Sequence, residues 1–123
     1  MVVSYGTSPA AEVIFADTRL DTSPTASIVG ADTCFRQVEF VGILRGTSHR
    51  AQAEKFIDFL LGKAFQEDVP LQMFVYPVNS TAALPPEFDL YAQKPAQPAR
   101  LAPVDIAKNR DAWIQAWDAA VLR

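Results

Sequence analysis

Apolar residues recur at helical spacing most clearly between 53 and 65, where Ala53, Phe56, Ile57, Leu60, Leu61, Ala64 and Phe65 share one face. Thr47 or Ser48 is placed to cap this helix, Gly62 to interrupt or bend it, and Pro70 to close the region. A second helix is predicted over 103–122, with Ile106, Arg110, Trp113, Ile114, Trp117 and Val121 along one side. Its two tryptophans stand four residues apart and are expected to anchor a core. A shorter helix is predicted over 8–15, with Ser8 as N-cap, Pro9 in the first helical position and Glu12 near the positive helix end. Between these, residues 34–44 alternate as a strand would. Val38, Phe40 and Leu44 fall on one face, and Phe35, Val41 and Ile43 on the other. A strand apolar on both faces is expected to be buried on both, which favours an α/β architecture. Residues 2–5 and 71–78 read as shorter extended runs, the second being Met73-Phe74-Val75-Tyr76 stopped by Pro77. Residues 17–25 read as loop. Residues 82–103 carry Pro85, Pro86, Pro95, Pro98 and Pro103 and are expected to form a surface strap with one helical turn at 87–91.

Composition fits one globular domain. Of 123 residues, 50% are apolar and 20% charged, enough for a core. Eleven basic against fourteen acidic residues leave a formal charge of -3, so no electrostatic footprint for nucleic acid exists. Arg45, His49, Arg50 and Lys55 lie close together in sequence and read as a solvated helix start. The apolar run Phe40-Val41-Gly42-Ile43-Leu44 is far short of the roughly 20 residues a membrane-spanning helix needs. Met1-Val2-Val3-Ser4-Tyr5 has none of the regions of a signal peptide.

Most catalytic chemistry is closed by simple counting. One histidine and one cysteine cannot make the usual zinc sites, and a lone Cys34 forms no internal disulfide. A Cys34–His49 pair would need contact and a third orienting group, so both are expected to be inert. Asn79-Ser80-Thr81 matches a glycosylation sequon of a kind common by chance, and Asp105, Asp111 and Asp118 read as a wet helix face. No catalytic residue, metal site or cofactor is expected. Two segments carry more. Tyr5-Gly6-Thr7-Ser8-Pro9 leads a strand into a helix N-terminus, where α/β folds bind ligands. Phe74-Val75-Tyr76-Pro77 offers further aromatics. Together Tyr5, Phe74 and Tyr76 would form an aromatic wall for a flat heterocycle or a cation, or else pack as core.

Val2-Val3-Ser4-Tyr5-Gly6-Thr7-Ser8-Pro9-Ala10 resembles the ligand-contacting segment of the thiamine-binding proteins of bacterial ABC importers, within the type II periplasmic binding proteins. Gln37-Val38-Glu39-Phe40-Val41-Gly42-Ile43-Leu44 resembles the strand that returns between their two lobes. The helix at Ala53-Glu54-Lys55-Phe56-Ile57, the stretch Met73-Phe74-Val75-Tyr76-Pro77-Val78 and the helix at Asn109-Arg110-Asp111-Ala112-Trp113 follow in the same order. The resemblance covers nearly the whole chain and implies a C-terminal fragment of a two-lobe α/β protein. Mixed sheet pieces, packed helices and a long C-terminal helix are then expected. Residues 1–45 would end in the interlobe strand, and 46–123 would hold helices, a short strand, the strap and the last helix. It also implies capture of a thiamine-like solute for an ABC permease outside the inner membrane, with no bond made or broken. Tyr5, Ser8, Phe74 and Tyr76 are the ligand-binding residues so implied. Ala11 and Phe74 depart from the family's pattern, which has an aromatic and a tryptophan there. The implied alternatives are an iron(III) or polyamine carrier of the same fold, or a free-standing interaction module. A fragment with uncovered apolar surface is expected to form a homodimer.

Overall fold

Gly6 and Thr7 turn the chain out of its first residues and into α1 (Ser8–Ile14). The computed structural model describes residues 1–122. Pro9 lies in the first turn of α1, as its fixed φ and missing N–H favour. The N-cap position belongs to Thr7 rather than Ser8. The Thr7 carbonyl accepts the amides of Ala10 and Ala11, both at 3.1 Å, while its side chain makes no capping bond. The helical spacing around 53–65 is realised as two helices, α2 (Arg50–Leu61) and α3 (Lys63–Met73). Gly62 separates them with an extended backbone, φ -64° and ψ 149°. α4 (Pro86–Tyr91) fills the single turn expected in the strap and again starts on proline, with Glu87 and Asp89 in its first turn. α5 (Pro103–Val121) is the long C-terminal helix.

Packing is concentrated in two places. α1 lies on α4, and α2 folds back on α3. Ala10 and Phe88 are shut off from solvent between the first pair. Val69, Pro70 and Gln66 are the buried residues of α3. Gln66 donates through Nε2 to the Leu60 carbonyl at 2.8 Å, and its Oε1 accepts the Val78 amide at 2.7 Å. Asn79 Nδ2 adds a bond to the Leu61 carbonyl at 2.9 Å. These bonds tie the end of α2, the middle of α3 and the turn after it into one unit.

Four expectations are corrected. Pro70 does not close the helix but lies inside α3, which runs on to Met73. The ring is fully buried, so packing outweighs the hydrogen bond that its missing N–H forfeits. Residues 71–73 are therefore helical rather than extended, and Phe74 ends the helix in a left-handed conformation. No sheet forms among the described residues. Phe35 makes one isolated parallel bridge to Ala99, supported by the Ala99 amide on the Cys34 carbonyl at 2.7 Å. Period-two patterning fixes which side chains share a face, but a strand also needs a partner backbone. Without one, Val38, Phe40, Val41 and Leu44 are exposed instead of buried on both faces. The expected core face of α5 is likewise uncovered. No residue of α5 is buried, and Trp113 and Trp117 keep 44% and 51% of their surface in solvent. No described helix is long and apolar enough to cross a membrane.

Candidate functional site

The turn entering α1 builds one wall of a cleft of about 880 Å³. The Tyr5 carbonyl accepts the Ser8 amide at 3.0 Å, which closes the turn and sets both side chains at the start of the helix. Ser8 Oγ and Ser4 Oγ lie 2.6 Å apart in a hydrogen bond. Ser27 Oγ donates to the Gly6 carbonyl at 3.1 Å and brings the 25–28 segment across as the facing wall. Tyr5, Ser8, Glu12, Thr25, Ile28 and Cys34 line the space between. Tyr5 leaves 56% of its surface open to solvent.

Glu12 is the residue that sequence reasoning passed over. Its place in the sequence points only to the positive end of the helix. It stands four residues after Ser8, which on a helix is the same face one turn on. That spacing is the signal that could have placed it in the site. Among the described residues it is the only acidic one lining the cleft, and its Oε2 accepts the Thr25 hydroxyl at 2.7 Å. A carboxylate held by one hydroxyl keeps lone pairs for a second donor.

Phe74 and Tyr76 lie outside this cleft. The Phe74 ring meets Phe15 edge-on, centroids 5.1 Å apart. The Tyr76 ring stands edge-on to Phe88 at 5.6 Å, its hydroxyl donates to the Ala92 carbonyl at 2.9 Å, and Lys94 Nζ sits 4.1 Å above the ring centre. Burial pushes the Tyr76 hydroxyl above its ordinary value of 10.0, and the Asp89 carboxylate adds to the shift. The three-ring wall is therefore not assembled here. Phe74 leaves α3 in the left-handed region at φ 58° and packs on Phe15, just past α1, while the Tyr76 hydroxyl is taken by Ala92, just past α4. The two segments nonetheless touch, because Thr7 Oγ1 donates to the Phe74 carbonyl.

Cys34 and His49 form no pair. The half-buried thiol donates to the Ile28 carbonyl at 3.4 Å, and His49 stands exposed ahead of α2. Arg45, Arg50 and Lys55 are exposed, as a solvated helix start requires. Among the described residues, no group of three or more His, Cys, Asp or Glu side chains could hold a metal ion.

Residues 3–109 match the sequence profile of the bacterial extracellular solute-binding proteins. The chain belongs to that family. Thiamine-binding periplasmic proteins of Salmonella typhimurium LT2, Escherichia coli K12 and Brucella melitensis biotype 1 are 35%, 32% and 30% identical to it across its whole length. The chain spans 36% of the length of each of these relatives. No solved structure matches at a significant level. The matching family is one of solute-binding proteins and not of enzymes.

Proposed function

We propose that this chain supplies one wall of the solute site in a thiamine-type carrier, and that the solute is thiamine or a similar flat aromatic cation. The observation that carries the reading is the cleft at the entry to α1. Tyr5, Ser8 and Glu12 all line that one space, which supports the reading. A ring face and an anion suit a cationic heterocycle, and a hydroxyl can bond a ring nitrogen or an amino group. Thiamine carries all three complementary features, and the curated relatives that match this chain are thiamine-binding proteins. Phe74 and Tyr76 stay outside this cleft, and only the Phe74 backbone is joined to its entry turn, through Thr7.

The rest of the site belongs to parts of a larger protein. The uncovered faces of 38–44 and α5, together with the 36% coverage of each relative, support assigning the chain to the C-terminal part of a two-lobe carrier. Binding then closes the lobes, because the solute contacts both only in the closed form. The carrier works in the periplasm and hands its solute to an ABC permease.

The test compares thiamine with its neutral aminopyrimidine half in the full-length gene product, wild type against Glu12→Gln. Loss of the carboxylate weakens thiamine binding about tenfold and leaves the neutral pyrimidine within about twofold. An equal effect on both probes, or none on either, overturns the cation-selecting role of this cleft.

A further inference from the structure

We infer that Thr7 is a positioning residue, a clamp that fixes the Phe74 segment against the Tyr5–Ser8 turn and so sets the position of that cleft wall relative to the neighbouring segment. The inference rests on the solute-binding reading above for its functional consequence, but not for its geometry. Thr7 occupies the N-cap position of α1, where a threonine hydroxyl ordinarily accepts an amide of the first turn. Here it does not. Its backbone is helical, φ -92° and ψ -6°, and its hydroxyl points away to donate to the Phe74 carbonyl, 67 residues along the chain. Thr7 is 5% exposed and the bond is part-buried, which limits competition from water.

The acceptor is unusual as well. Phe74 is one of two non-glycine residues with positive φ among the described residues, and it ends α3 where glycine is the common choice. An L residue with a bulky side chain holds that conformation only when its surroundings over-determine it. Two contacts do so: the Thr7 hydroxyl on its carbonyl and the Phe15 ring on its own ring. They come from the two ends of α1, its N-cap and its C-cap. The reversal at Phe74 then directs Val75 and Tyr76 toward α4, where Tyr76 finds Ala92. A threonine that gives up its cap to hold a strained residue at the other candidate segment is a device for spacing.

The test reads the clamp without a ligand first. In the 123-residue chain, nuclear magnetic resonance should show a slowly exchanging Thr7 hydroxyl proton close to the Phe74 α-proton, and cross-peaks between the Phe15 and Phe74 rings. Thr7→Val should lose the ring cross-peaks, and Thr7→Ser should restore them. In the full-length gene product, Thr7→Val should weaken thiamine binding about tenfold and Thr7→Ser by less than about twofold. A Thr7 hydroxyl proton in free exchange with solvent overturns the clamp, whether or not the valine variant folds. So does a folded Thr7→Val chain that keeps its ring cross-peaks. A wild-type protein that binds no thiamine overturns the proposed function instead, and the hydroxyl proton and ring contact then decide the clamp alone.

Discussion

Replacing Gln66 with methionine isolates the polar joint that holds the helical half together. The side chain is buried and works at both ends. Nε2 donates to the Leu60 carbonyl at 2.8 Å, and Oε1 accepts the Val78 amide at 2.7 Å, with a longer contact to the Asn79 amide at 3.4 Å. Methionine keeps the length and most of the volume, so packing changes little. The loss is then the two good hydrogen bonds, about 1 kcal/mol each net, or about 2 kcal/mol together. For a chain of this size that lowers the melting temperature by about 6–10 °C. Urea titration followed by circular dichroism measures the change directly. A control sits on the surface of α2, where Arg50 Nε and Glu54 Oε1 form an exposed pair at 2.8 Å. Glu54→Gln should cost less than about 0.5 kcal/mol. A Gln66→Met change as small as the control would refute the view that this side chain joins α2, α3 and the turn at 78–79.

The remaining predictions concern pH and association. Tyr76 titrates above 10.0 in the folded chain, so the stability it contributes is present below that value and is lost as pH rises from there toward its folded value. Tyr76→Phe should cost about 1 kcal/mol at neutral pH, the net worth of the bond to Ala92, and the gap to wild type should narrow above pH 10. A constant gap between about pH 8 and about pH 11 in paired urea titrations contradicts this. The exposed Trp113, Ile114, Trp117 and Val121 along α5 should make the isolated 123-residue chain self-associate, and Trp113→Glu with Trp117→Glu should abolish the dimer. A monomeric mass by light scattering at high micromolar wild-type protein speaks against it.

Local features were legible and their partners were not. The bounds of α1, α4 and α5 follow from prolines in first turns and from apolar spacing, and Gly62 breaks the 50–73 region where expected. Pro70 misled, because the rule against proline in a helix takes no account of a ring that gains full burial. The pattern at 34–44 shows two apolar faces, but a sheet is a property of at least two backbones, and the described residues supply one bridge. For the same reason the amphipathic face of α5 was readable and its cover was not. Tyr5 and Ser8, expected from the turn into a helix N-terminus, both line the cleft. Glu12 needed only the i,i+4 relation to Ser8. Thr7 could not have been found, since its partner is 67 residues away.

The central claim is that the turn entering α1 binds a flat aromatic cation. Titration calorimetry of thiamine into the full-length gene product tests it most directly, with Tyr5→Ala alongside. The account predicts sub-micromolar binding that falls by about tenfold or more when the Tyr5 ring is removed. A well-folded protein that gives no heat with thiamine, or one that binds it equally well without Tyr5, would contradict it.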